Sequence, residues 1–323
     1  MGNITVAILG AQGYGANLGK KGTSTDITFY NIKKGEDTVT IIEPTRYPER
    51  LAPLFYAVSL SKQAIVVVDQ IDATFGECLV MLQCSDIKCG YFVLRNYLPK
   101  EKIQPLIKGT NIETFEFLPD DANVIREKLL AEAAKQKPVE APSEAQPIGI
   151  VPVDHAFNVK GVGVVVLGVV TSGVVQKHAT LNVLPGSKSA QVRSIQKHDD
   201  EFDVASEGDR VGLALKNIEV EDLDRGVVLT NDTAVKTASK LEAHASLVKY
   251  WQMPIKQGMV MHVGHWTQFI TAKVEAVTES ADPKKSTLTL TLDKPLVYCL
   301  SDRAVLMNLE GTKLRVAGTI QLP

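Results

Sequence analysis

Asp154-His155-Ala156-Phe157-Asn158-Val159-Lys160-Gly161-Val162-Gly163-Val164-Val165-Val166-Leu167-Gly168-Val169-Val170-Thr171-Ser172-Gly173 is the stretch on which the architecture turns. Residues 162–170 form an apolar run, and Gly161, Gly163, Gly168 and Gly173 punctuate it. Glycines set in or beside a strand mark bulges, corners or places where another backbone comes close. Moving toward the C-terminus, residues 180–184, 191–196, 210–215 and 226–229 are short apolar segments separated by Gly, Pro, Asn or Asp. That pattern predicts the strands of a closed β-barrel. A second β series runs from Thr237 to the end, with alternation clearest in Ser286-Thr287-Leu288-Thr289-Leu290-Thr291-Leu292. Two antiparallel β domains are expected, over residues 148–236 and 237–323.

Moving toward the N-terminus, the composition changes. Residues 137–147 hold three prolines and little to bury, which predicts a linker. The segment before it, residues 1–136, has a different period. Continuous apolar runs at Val6-Ala7-Ile8-Leu9, Val39-Thr40-Ile41-Ile42, Ala64-Ile65-Val66-Val67-Val68 and Tyr91-Phe92-Val93-Leu94 fit strands covered on both faces. Helix-compatible stretches lie between them at residues 50–60 and 75–84, and residues 123–137 carry an apolar stripe of Ile125, Leu129 and Leu130. Alternating strand and helix predicts a mainly parallel sheet.

Bulk properties bound the function. The chain has 323 residues, enough for two or three domains, and a formal net charge of -2, so no overall basic footprint announces a nucleic-acid binder. Any RNA contact must come from a local patch. Cys78, Cys84, Cys89 and Cys299 form no CxxC pair and read as free thiols, with no metal site implied. The start, Met1-Gly2-Asn3-Ile4-Thr5, lacks the basic and apolar regions of a signal peptide, and no run nears the ~20 apolar residues of a membrane span. A cytoplasmic protein without a membrane partner is expected.

The quoted stretch resembles the opening of the second domain of elongation factor Tu and its relatives, SelB above all, where an Asp-His pair stands before the Phe. The similarity continues through Val192-Arg193-Ser194-Ile195-Gln196-Lys197-His198, Glu207-Gly208-Asp209-Arg210-Val211-Gly212-Leu213 and Asp224-Arg225-Gly226. Pro254-Ile255-Lys256-Gln257-Gly258, His262-Val263-Gly264 and Leu314-Arg315-Val316-Ala317-Gly318-Thr319-Ile320 look like the family's third domain. Across the whole chain the resemblance is to the SelB-like elongation factor of methanogenic archaea. It implies an α/β P-loop-type G domain with a mainly parallel sheet, followed by two antiparallel β-barrels.

The resemblance also implies GTP or GDP with magnesium, and the motifs that would hold them are eroded. A phosphate-binding loop reads GxxxxGK[ST], because glycine N–H groups face the phosphates, Lys neutralises them and the hydroxyl holds magnesium. Gly10, Gly13 and Gly15 supply the glycines, but Ala16 and Asn17 occupy the Lys and Ser/Thr positions. At the family's DxxG, Glu43 is an acidic stand-in and Arg46 replaces the glycine; at NKxD the chain reads Arg95-Asn96-Tyr97-Leu98, without the base-reading carboxylate. Lys20-Lys21-Gly22-Thr23-Ser24-Thr25-Asp26 looks like the family's first switch, with Ser24 at its magnesium-binding Thr. It follows the glycine loop too closely for the family's first helix, which reads either as a deletion or as a segment missing between Gly15 and Gly19.

In the family, the second-domain pocket receives the aminoacyl end of tRNA, and the matching positions here are Asp154, His155, Phe157, His198 and Arg210. Two histidines and an arginine suit an anionic or strongly polar amino acid. The plainer reading is that Asp154 and Arg210 pair to close the barrel while the histidines lie on its surface. The expected function is an elongation-factor-like protein that binds aminoacyl-tRNA, with GTP binding weakened or lost and no catalytic residues identified. The expected partners are aminoacyl-tRNA and the ribosome, with no DNA. Two rivals stand beside it: an active GTPase that delivers a special aminoacyl-tRNA, and a ribosome-binding regulator without tRNA cargo.

Overall fold

Three strand systems succeed one another along the chain. The first opens with β1 (Asn3–Leu9), whose residues from Ile4 to Leu9 are all buried, as the unbroken apolar run requires of a strand covered on both faces. β2 (Lys20–Ser24), β3 (Thr28–Lys34) and β4 (Asp37–Glu43) follow, then helix α1 (Ala52–Ser59), β5 (Gln63–Val68), helix α2 (Ala73–Cys84) and β6 (Cys89–Leu94). A short helix α3 (Gln104–Ile107), β7 (Glu116–Leu118) and helix α4 (Ala122–Lys135) complete this part. The computed structural model describes residues 2–136, 148–311 and 314–323. The linker predicted over residues 137–147 lies outside the described residues.

The sheet order is β2-β3-β4-β1-β5-β6-β7. β1 pairs in parallel with β4 and β5, and β5–β6 and β6–β7 are also parallel, while β2–β3 and β3–β4 are antiparallel. The sheet is therefore mainly parallel. α2 starts at Asp72, whose carboxylate accepts the Phe75 N–H at 2.8 Å, and α4 starts at Asp121, which accepts the Asn123 N–H at 2.8 Å. α4 buries Ile125, Leu129 and Ala133 on one face, at a spacing of four. Leu130, expected in that stripe, is only partly buried. Between the glycine loop and the Val39 run lie two strands that the apolar pattern does not mark, β2 and β3.

The second system is β8 (Gly149–Val159), β9 (Gly163–Val169), β10 (Ser172–Gln176), β11 (Thr180–Leu184), β12 (Lys188–Lys197), β13 (Asp200–Phe202), β14 (Val204–Ser206), β15 (Arg210–Lys216) and β16 (Val228–Thr230). The path β8-β16-β11-β12-β15-β9 closes on itself because β9 also pairs with β8. This is a closed six-stranded antiparallel barrel, with Val151, Val153, Val166, Leu213 and Leu229 buried inside it. Of the six strands that close the barrel, β8 is the one that the apolar pattern does not mark; β10, β13 and β14, outside that ring, are unmarked too. Pro152 interrupts it, and its register slips between Val153 and His155, so Asp154 is the extra residue of a β-bulge against Gly168 and Leu167. Gly168 is needed there, since a Cβ would come within 2.6 Å of the Pro152 carbonyl oxygen.

The third system is β17 (Lys236–Leu247), β18 (Val260–His265), β19 (Gln268–Glu279), β20 (Lys285–Tyr298), β21 (Arg303–Met307) and β22 (Val316–Gln321), again a closed barrel, in the order β17-β20-β19-β18-β21-β22. By compactness the chain forms two units: Met1–Lys137 with Leu247–Met253 and Val305–Thr319, and Pro138–Ser246 with Pro254–Ala304 and Ile320–Pro323. Within the first unit, buried Glu77 of α2 accepts the Arg315 backbone N–H at 2.8 Å and its guanidinium at 2.6 Å and 3.2 Å. No helix among the described residues is long and apolar enough to cross a membrane.

Candidate functional site

Two groups of residues stand out, one in each unit. The first is the glycine loop after β1. Its chain reverses with Gly10 at φ 94° and Gly13 at φ 77°, backbone states that side chains rarely tolerate. A Cβ on Gly10 would also come within 2.0 Å of the Val67 carbonyl oxygen. After Gly13 the chain makes only a four-residue 3₁₀ turn, Tyr14–Asn17, closed by the Leu18 and Gly19 N–H groups on the Gly15 carbonyl at 3.0 Å each. No α-helix begins there, and the next element is the edge strand β2.

Beneath the loop lies Glu43, the last residue of β4, buried to 3% exposure. The parallel pairing of β1 with β4 sets Ala7 beside Ile42, so the next residue of β4 falls under the chain that leaves β1. One Glu43 oxygen accepts the Gly13 N–H, and the other accepts the Gly15 N–H at 2.9 Å. Gly15 permits this approach: a Cβ on it would stand 3.0 Å from the Glu43 carboxylate and 2.5 Å from the Tyr30 ring. The sequence places Glu43 as a stand-in for an acid near magnesium; in the structure its oxygens face the Gly13 and Gly15 amides. Burial, with the Glu43 charge adding to it, pushes the Tyr30 phenol up.

Ser24, expected at a magnesium position, ends edge strand β2. Its hydroxyl is 2.9 Å from the Thr28 hydroxyl, which is 2.6 Å from that of Thr45. Around the loop, further groups are tied together that sequence reasoning did not single out. The Tyr14 hydroxyl donates to Asp120 at 2.6 Å, and Arg95 spans Asp120 at 3.2 Å and Asp69 at 3.3 Å. Arg126 of α4 donates to the carbonyls of Asn17 and, at 2.7 Å, Leu18. Burial first, then the Asp120 hydrogen bond, pushes the Tyr14 phenol above its ordinary range. No short motif announces these ties, because Tyr14 and Asp120 are 106 residues apart and Arg126 and Leu18 are 108 apart.

The second group sits on the middle barrel. The Asp154 bulge turns its carboxylate inward, where the side chain is fully buried. Arg210, at the start of β15, donates one N–H to each of its oxygens, with the longer bond at 3.0 Å, and His155 Nδ1 lies 2.5 Å from Oδ1. Arg225 Nε donates to the Asp154 carbonyl at 3.1 Å. Burial pushes the Asp154 carboxyl up, but the Arg210 charge and the hydrogen bonds from His155 and Arg210 outweigh it and hold the group below its ordinary value. Asp154 and Arg210 are thus paired within the barrel wall.

His155 and Phe157 follow on alternate positions of β8 and so share one face, opposite partly buried Ala156; Phe157 is 40% exposed. The structure therefore joins Asp154, His155 and Arg210 directly and sets Phe157 on the His155 face. His198 occupies the turn between β12 and β13 at φ 49°. Arg225 is the member of this group that sequence reading passed over; its only signal was its place in the Asp224-Arg225-Gly226 motif.

Comparison with known proteins finds relatives along the chain. Residues 163–230 match the family described as elongation factor Tu domain 2. An uncharacterized protein of Methanocaldococcus jannaschii is 37% identical over 323 residues, covering 100% of both chains. The selenocysteine-specific elongation factor of the same organism is 25% identical over 334 residues, covering 93% of this chain and 71% of its own. The apo structure of elongation factor SelB from Methanococcus maripaludis matches at a TM-score of 0.81 and 22% identity, covering 99% of this chain and 79% of its own. The chain belongs to the translational GTPase family of elongation factor Tu and SelB. The same M. maripaludis SelB, in complex with the GTP analogue GppNHp, matches with a TM-score of 0.81. This translational GTPase relative has the family's sheet and two barrels, with Ala16 and Asn17 after its glycine loop and Glu43 under it.

Proposed function

We propose that this chain is an elongation-factor-like protein that binds aminoacyl-tRNA without relying on a bound guanine nucleotide. The observation that carries the second half of this reading is the Glu43 carboxylate hydrogen-bonded to the glycine-loop amides. Phosphate needs those N–H groups, and it would meet them beside a buried negative charge. Two unit charges about 4 Å apart repel by about 4 kcal/mol in surroundings of intermediate polarity, roughly a thousandfold in affinity. No lysine follows the loop to offset that repulsion, since Ala16 and Asn17 stand there. The tRNA half rests on the barrel: exposed Phe157 shares a strand face with mostly buried His155, which Asp154 and Arg210 hold from below. On this reading the nucleotide and magnesium that the family resemblance implies are weakly held or absent, and the ribosome is the second partner.

Filter binding with charged and uncharged tRNA at low salt tests the proposal. Charged tRNA is expected to be retained without added nucleotide, and more weakly by His155→Ala and Phe157→Ala proteins. Absence of affinity for either tRNA would defeat the tRNA half. Titration calorimetry with GDP and magnesium tests the other half, for which no binding heat is expected; binding at micromolar concentration would restore the active-GTPase reading (about -8 kcal/mol).

A further inference from the structure

We propose that Glu43 is an intramolecular ligand of the glycine loop, a carboxylate held where an oxyanion would otherwise bind, so that the loop is kept in its occupied shape by the protein itself. The inference rests on the reading above that nucleotide is not required. Glu43 meets the loop as a ligand would: its two oxygens each take one converging backbone N–H, from Gly13 and from Gly15. Amides arranged in this way form a concave nest with affinity for anions. The site is shaped around the carboxylate, because Gly15 has no Cβ to stand 3.0 Å from it, and the Tyr30 ring closes the same side.

The surrounding loops are fastened in the same fashion, by contacts from within the chain. Gln12 donates to the Tyr47 carbonyl at 2.8 Å, Tyr14 to Asp120 at 2.6 Å, and Arg126 to the end of the 3₁₀ turn at Leu18 at 2.7 Å. Asn96, in the segment that replaces the base-reading motif, donates to the Asp69 carbonyl at 3.2 Å. Each of these contacts fastens a loop near the glycine loop through a group of the chain itself. The chain therefore holds a nest for an oxyanion and its own plug for it.

Removing the plug should uncover the nest. The test follows thermal melting of the full chain, wild type beside Glu43→Ala and Glu43→Gln, in rising inorganic phosphate at constant ionic strength set with chloride. Both variants are expected to melt below the wild type in chloride. Phosphate should then raise the melting temperature of Glu43→Ala in a saturable way, with an affinity at least about tenfold above any phosphate effect on the wild type. Glu43→Gln, which keeps the shape and fills the nest with an amide, should respond less. If Glu43→Ala is too unstable to purify, the Gln variant serves in its place, and its response to phosphate must still exceed that of the wild type. Equal phosphate responses in wild type and variants, or melting unchanged by either substitution, would overturn the proposal. Calorimetry on the wild type separates the two ideas. Nucleotide binding there with phosphate gained on Glu43→Ala defeats only the reading of function, whereas no nucleotide binding and no phosphate gain defeats only the plug.

Discussion

Arg210→Met is the substitution that most directly probes the middle barrel. Asp154 has a fully buried side chain, and Arg210, itself 10% exposed, supplies a bond to each of its oxygens. Methionine keeps much of the volume but removes the charge. Deleting one partner of a buried ion pair costs about 3–5 kcal/mol, because the remaining charge is stranded. Here the His155 contact at 2.5 Å survives, which argues for the lower end, about 3 kcal/mol. For a unit of roughly 150–250 residues, each kcal/mol lowers the melting temperature by about 2–4 °C, so a drop of about 6–12 °C is expected. Scanning calorimetry on the purified full chain measures it. The decisive comparison is Asp154→Asn alone and together with Arg210→Met. If the two residues act as a pair, the double variant loses less stability than the sum of the singles, by at least about 1 kcal/mol. A single Arg210→Met variant within about 0.5 kcal/mol of wild type, or strict additivity in the double, would refute the argument.

The same carboxylate predicts a pH dependence. Its folded value lies below that of the unfolded chain, about 3.9, so the unfolded chain takes up the proton first as pH falls. The stability Asp154 contributes is then fully present above about pH 4 and is lost as pH falls through the lower folded value; urea melts should show the gap between wild type and Asp154→Asn constant from about pH 5 upward and narrowing in acid. A gap that widened in acid would contradict the sign. In the first unit, Glu77→Ala strands the partly buried Arg315 guanidinium and should cost about 3–5 kcal/mol by chemical denaturation. A loss under about 0.5 kcal/mol would show that the pair is not worth its geometry.

Local pattern carried the sequence reading a long way. Unbroken apolar runs located β1, β4, β5 and β6, since a strand covered on both faces has no polar alternation to show. Short apolar segments between turn residues located β9, β11, β12 and β15, and the helix over residues 123–137 appears as Ala122–Lys135. β8 was hidden because a bulge at Asp154 breaks its period and Pro152 interrupts it.

By itself, the sequence determined which chemical groups exist: three loop glycines with no lysine after them, one acid at the end of a strand, and an Asp-His pair with a distant arginine. The tertiary structure decided what those groups do. The pairing of β1 with β4 brings Glu43 under the amides of Gly13 and Gly15, 30 and 28 residues away in sequence, and the bulge at Asp154 turns its carboxylate onto Arg210, 56 residues on. A local period records only which face of its own strand a side chain takes. Which charge it meets depends on strand order and register, and these are set by the packing of the whole sheet or barrel.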